Sequence, residues 1–168
     1  MNREPIKIIG DILKNCMTLT DDQIFINNQD FKVPETSGLF VVLNRGLAST
    51  YSVTNEFIPA AEGIEGGQES ISSLRKENYI INALSKNDEA RQREYEFDLA
   101  LKSNFSQNQQ ELYQFKITDI NDGNSNVSEL EGAGMLNRFS INISLLAHYN
   151  KTIDTPYYDN FTNDIIID

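Results

Sequence analysis

Few side chains in this sequence could carry out nucleophilic or metal-assisted chemistry. His148 is the only histidine and Cys16 is the only cysteine. A Ser-His-Asp or Cys-His arrangement would have to be built around His148, and no serine lies in the Gly-x-Ser-x-Gly turn that exposes a nucleophile. A structural zinc site needs about four cysteine or histidine ligands. We therefore predict a protein that is not an enzyme and has no catalytic, metal-binding or cofactor-binding residue.

Carboxylates are the remaining candidates for chemistry, and two groups of them lie close together in the sequence. The run Asp119–Gly123 has part of the spacing of a calcium loop, but its glycine comes one position too early and Leu130 stands where that loop needs a glutamate. The acidic residues of Glu94–Asp98 follow Arg91 and Arg93, which is typical of a solvated helix face. Neither group predicts an active site.

Charge and composition exclude several classes of protein. The chain has 14 Lys and Arg against 25 Asp and Glu, a formal net charge of −11, which is the wrong sign for tight binding to nucleic acid phosphates. A lone cysteine cannot form an intramolecular disulfide, which favours a reducing compartment. The N-terminus lacks a signal-peptide pattern, and the longest apolar stretch, Leu39–Leu43, is too short to span a membrane. We expect a soluble protein with no membrane partner.

Hydrophobic periodicity predicts two helices. After Pro5, apolar residues from Ile9 to Met17 recur at three- and four-residue steps, and Cys16 lies on that apolar face, where we expect a buried thiol. A longer helix is predicted to begin at Asp88 and to end between residues 104 and 110.

Extended segments are predicted between and after these helices. Residues 139–145 alternate apolar and polar side chains most regularly, so we expect this strand to be central in the sheet. Acidic or Asn-rich and Gly-containing loops are predicted at 60–69 and 121–131. The other predicted strands are Gln23–Asn27, a hairpin of Leu39–Leu43 and Tyr51–Ile58 turning at Asn44–Gly46, Ser70–Ser85, and Leu112–Ile120.

A length of 168 residues corresponds to one domain. We predict an α+β fold over residues 1–168, with a mostly antiparallel or mixed sheet of about four to five strands. An N-terminal helix and one longer helix pack on this sheet. Residues 154–168 are expected to form an extended C-terminal arm, whose Ile165–Ile167 either adds a strand to another chain or frays.

Four stretches, taken together and in order, resemble the tail terminator, or neck terminator, proteins of tailed bacteriophages. The likeness covers residues 69–161 and lies in the joint order of the stretches, since none of them is a chemical signature. The stretches are Glu69–Ser85 with Ser73-Leu74-Arg75-Lys76-Glu77-Asn78-Tyr79, the helix from Asp88 with Ala90-Arg91, Glu129–Phe139, and Tyr157-Tyr158-Asp159.

The resemblance implies a structural virion protein, assembled in the host cytoplasm and located in the tail or neck. Members of this family form a ring, usually hexameric, at the head-proximal end of the tail, where the ring stops tube polymerisation and joins the head connector. The implied partners are further copies of the chain, the tail tube protein and the head connector or completion protein, while DNA passes through the lumen without specific binding. A head-completion or connector subunit and a host-modifying binding module remain the alternatives.

Acidic loops and a few other side chains are the candidates for the ring interface or rim. An acidic lumen would repel passing DNA, so we expect acidic residues to face the channel or rim. Arg138 either pairs with a carboxylate across a subunit boundary or is solvated. The full candidate set is Glu62, Glu65, Glu69, Asp122, Glu129, Glu131, Arg138, Tyr157 and Tyr158.

Overall fold

Long strands dominate the molecule. The computed structural model describes residues 4–26, 35, 37–59, 66–126, 129–131 and 134–155. A short 3-10 helix, Asp21–Gln23, follows the first α-helix. The elements in chain order are α1 (Pro5–Met17), β1 (Ile24–Ile26), β2 (Phe40–Pro59), β3 (Gly67–Ser85), α2 (Glu89–Gln92), α3 (Glu94–Leu101), α4 (Asn104–Leu112), β4 (Phe115–Asn126), β5 (Glu129–Glu131) and β6 (Gly134–Thr155).

Five strands form one mixed sheet in the order β1-β2-β3-β6-β4. The short β1 runs parallel to β2, and every other pairing in this sheet is antiparallel. The three-residue β5 folds back on the start of β6. The architecture confirms the predicted α+β fold with a mixed sheet.

The main core lies between one face of the sheet and the helices. On β3 the side chains of Tyr79, Ile81 and Ala83 point into it, and on β6 alternate residues from Phe139 to Ala147 do the same. A second, smaller cluster of Phe40, Val42, Leu84 and Leu136 lies apart from the main core. Because β6 lies between β3 and β4, the prediction of a central strand over residues 139–145 is confirmed.

Helix α1 begins at Pro5, as predicted, and buries Ile8, Ile9, Ile12 and Leu13 completely. It ends at Met17, and the following Thr18 adopts the left-handed conformation with φ 55°. The prediction of a buried Cys16 is wrong, because this thiol is exposed. Cys16 lies in the last turn of α1, and its Sγ is 3.4 Å from the Oγ of Ser103 at the start of α4.

The single long helix predicted from Asp88 is divided into α2, α3 and α4. Breaks fall at Arg93 and at Lys102–Ser103. Ser103 Oγ accepts a hydrogen bond of 3.1 Å from the backbone N–H of Ser106 and so caps the start of α4. A serine that satisfies a free helix N–H in this way favours a new start over continuation of the preceding helix. None of the helices among the described residues has the length and apolar character needed to cross a lipid bilayer.

Two predicted turns are extended instead. Asn44–Gly46 lies inside β2, which continues to Pro59, and a shift of register between Arg45 and Ala48 accommodates the irregular residues. At Gly46 an added Cβ would lie 3.1 Å from the carbonyl oxygen of Asn78, so the glycine permits close approach of the two strands rather than a turn. Residues 121–126, predicted as a loop, belong to β4.

Candidate functional site

One end of the sheet is buried and the other is open to solvent. We define the β projection as residues 44–59 of β2, 67–76 of β3 and 148–155 of β6. No side chain described in these three segments is buried, whereas the opposite ends of the same strands supply the core. The projection is therefore a three-stranded sheet with little cover on either face.

Large apolar side chains are exposed on the β projection. Leu47 is 85 % exposed and Tyr51 is 66 % exposed. Both lie on β2, one of the two outer strands of the projection. Scattered exposed apolar residues are ordinary, but a group of them on one three-stranded sheet favours an interaction surface. The remaining members are Val53, Phe57, Ile58 and Ile153.

The base of the projection is held by a buried carboxylate. Glu77 of β3 is 1 % exposed and accepts hydrogen bonds from Arg45 Nη2 at 3.1 Å, from Tyr149 Oη at 2.9 Å and from Tyr79 Oη. These partners lie on β2, β6 and β3 respectively, so one carboxylate connects all three strands of the projection. The guanidinium carbon of Arg75 lies 5.9 Å from the centroid of the Tyr149 ring, within reach of a cation–π contact.

Both tyrosines of this cluster are held in their neutral form. Burial, followed by the hydrogen bond to Glu77, raises the pKa of Tyr149 to about 12. The same two causes, in the same order, raise the pKa of Tyr79. A neutral phenol keeps its proton and donates a hydrogen bond to the carboxylate, so each oxygen of Glu77 accepts at least one hydrogen bond. This arrangement stabilises the strand junction.

The candidate residues that the structure describes with side chains do not form one site. Glu69 lies in the projection opposite Phe57 and Ile153, and it accepts a hydrogen bond from Asn55. Arg138 lies at the other end of β6, opposite Leu84. Its Nη2 donates to Asn82 Oδ1 at 3.2 Å, so Arg138 contacts an amide of its own chain.

The other candidates are described by backbone alone or lie outside the described residues. Asp122 belongs to β4, and Glu129 and Glu131 belong to β5. The predicted loop 60–69 is only partly described, since Gly67, Gln68 and Glu69 are the first residues of β3. Glu62, Glu65, Tyr157 and Tyr158 lie outside the described residues, as does most of the predicted C-terminal arm, of which only Asp154 and Thr155 are seen, at the end of β6.

The one histidine and the one cysteine of the sequence lie on different elements. His148 is in β6 opposite Leu74, and Cys16 is at the end of α1. Within the described ranges, no three His, Cys, Asp or Glu side chains come together in a way that could hold a metal ion.

An open groove of about 660 Å³ lies between α4 and the outer strand β4. Leu101, Phe115, Ile117 and Ile120 form its apolar part. The side chain of Gln110 accepts a hydrogen bond of 2.8 Å from the backbone N–H of Ile117, so part of this sheet edge is already bonded within the chain. The groove therefore offers an added strand less free backbone than the β projection does.

The projection was not predicted from the sequence, because its exposure depends on how far the strands extend beyond the helices. The available signal was the run of residues 46–58, which is extended in character and contains one charged residue, Glu56.

No protein-family model matches this chain, and no curated protein matches it significantly.

Proposed function

We propose that this protein is a structural subunit of a bacteriophage tail, a tail or neck terminator that forms a ring at the head-proximal end of the tail tube. In this role the ring stops tube polymerisation and joins the tail to the head connector. The β projection is the observation that carries the proposal, because an open three-stranded sheet with exposed apolar side chains needs a protein partner to cover it.

Three further features support an assembly role. The polar cluster around Glu77 braces the projection. The net charge of −11 suits a ring through which DNA passes without being held, since a negative wall repels phosphates. The resemblance over residues 69–161 includes β3, the central strand of the projection.

The test is the mass of the purified protein in solution, alone and with the tail tube protein of the same virus, followed by electron microscopy. We expect rings, either free or on tube ends, and tubes of limited length in the presence of the protein. Tube protein alone is the control for length. Rings that bind a head connector but never contact tube protein would assign the chain to the connector, and a protein that stays monomeric with both partners would contradict an assembly role.

A further inference from the structure

We propose that copies of this chain associate edge to edge through the β projection, with β2 of one copy hydrogen-bonded to β6 of the next and the two strands parallel. This inference rests on the proposed ring, and it names the surfaces and the strand direction that build it. The partner is a second copy of the chain.

The first surface is the outer edge of β2. The short β1 pairs only with Val41, Val42 and Leu43, so among the described residues no strand pairs with this edge from Asn44 to Pro59. At roughly 3.3 Å per residue this edge is about 50 Å long. Protein edges are normally protected by charges, prolines or short length. Between Gly46 and Ile58 this one has a single charged residue, Glu56, and no proline.

The second surface is the outer edge of β6. Strand β4 pairs with β6 only as far as Ala147, and the last contact on this side is the backbone N–H of His148, which donates to the carbonyl of Gln114 at 3.2 Å. From Tyr149 to Thr155 the described pairing is with β3 alone. This second edge is about 23 Å long by the same rise per residue.

The two edges lie on opposite sides of one three-stranded sheet, which is the arrangement that a closed ring requires. A ring needs two different patches on each subunit, one for each neighbour. Pairing of β2 with β2 of another copy would join two copies about a twofold axis and leave both β6 edges unpaired. Head-to-tail contact covers the whole free edge of β6 and an equal length, about 23 Å, of the longer β2 edge in every copy.

Strand direction follows from the topology. Both β2 and β6 are antiparallel to β3, so they run parallel to each other. Rotation about a ring axis lying along the strands preserves their direction, and β2 therefore meets the neighbouring β6 in parallel. Six projections of three strands would place about 18 strands around the axis, a number at which β-barrels enclose an aqueous channel.

Cysteine cross-linking tests this interface in the full-length chain. In a Cys16→Ser background, Val53→Cys or Asn55→Cys is combined with Lys151→Cys or Ile153→Cys, positions that share one face of the sheet by their register with β3. Within one copy these positions are two strands, or at least about 10 Å, apart, which exceeds the reach of a disulfide. A disulfide between them therefore reports contact between copies.

We expect at least one of the four pairs to give a ladder of covalent multimers under mild oxidation. The matched control, Val53→Cys with Glu111→Cys on the exposed face of α4, should stay monomeric on a denaturing gel. As a second measurement on the unmodified chain, amide hydrogen exchange should slow on assembly in residues 149–155 and in a stretch of matching length within residues 44–59, while exchange in α4 should not change.

Three results would overturn the interface. Rings that form with no cross-link in any of the four pairs, and with no slower exchange at either edge, would place the contact elsewhere and leave the terminator role standing. Covalent dimers from Val53→Cys alone would show β2 paired with β2. The absence of any assembly, with or without tube protein, would contradict both the interface and the terminator role.

Discussion

At the scale of the residue, Glu77 is the side chain on which the projection depends. Replacement Glu77→Ala removes the acceptor for the buried hydroxyl of Tyr79 and for Tyr149 and Arg45. Leaving buried donors unpaired and opening a small cavity should lower the free energy of unfolding by about 2–4 kcal/mol. Urea unfolding measures this loss, and Glu111→Gln on the surface of α4 should change it by less than about 0.5 kcal/mol. Equal stability of the two variants would contradict the bracing role.

The raised pKa of Tyr149 makes a prediction about alkaline pH. A phenol whose folded pKa, about 12, lies above its ordinary value near 10 stabilises the fold fully below pH 10 and loses that contribution as the pH rises through 12. The wild-type protein should therefore lose stability steeply between pH 10 and 12. Tyr149→Phe should be less stable at neutral pH and show a shallower loss. Urea midpoints across this pH range measure both effects, with Tyr95→Phe, an exposed tyrosine of α3, as the control. If Tyr149→Phe left the loss of stability between pH 10 and 12 unchanged, this result would contradict the raised pKa of Tyr149.

At the scale of the element, the glycine that starts β3 allows the hairpin of β2 and β3 to close. A Cβ on Gly67 would lie 2.4 Å from the Phe57 ring and 2.7 Å from the backbone oxygen of Ile58. Gly67→Ala should therefore destabilise the end of the projection by about 1–3 kcal/mol. Gly38→Ala, whose nearest neighbour would be at an ordinary 3.5 Å, is the matched control. Hydrogen exchange should accelerate in residues 55–59 and 67–71 of the Gly67 variant, and unchanged exchange there would count against the packing described.

One strand and one turn show how much of the fold could be predicted from the sequence. Alternation of Phe139, Ile141, Ile143 and Leu145 placed β6 in the core correctly, because a period of two assigns side chains to faces without any knowledge of partners. The turn predicted at Asn44–Gly46 was wrong, because a strand tolerates turn-forming residues where a neighbouring strand accepts the irregular register.

The candidate site was harder to predict, for a physical reason. Exposure of the β2 edge depends on where β1 and the helices end, which is set by contacts between residues distant in sequence. Acidic residues such as Glu69 can be recognised one by one from the sequence, but the sheet register separates Glu69 from Arg138 by almost the full length of β3 and β6.

At the scale of the whole molecule, a lysine substitution should weaken ring formation when it lies on the β projection but not when it lies on a helix. Val53 is 62 % exposed on β2 and Leu112 is 67 % exposed on α4, so Val53→Lys and Leu112→Lys alter charge and exposed apolar area by similar amounts. A lysine near the unpaired β2 edge should raise the concentration needed for ring formation about tenfold or more, equal to about 1.4 kcal/mol. Leu112→Lys should leave it unchanged. Sedimentation velocity across a concentration series measures both, and equal effects would show that the projection is not the assembly surface.

Electron microscopy of tail tubes assembled in the presence of this protein, with averaged views down the tube end, tests the terminator role most directly. The terminator role predicts a closed ring of this chain at one end of each tube and tubes that stop growing once the ring is bound. Tubes that keep growing with bare ends, at protein concentrations well above that of the tube subunit, would contradict it.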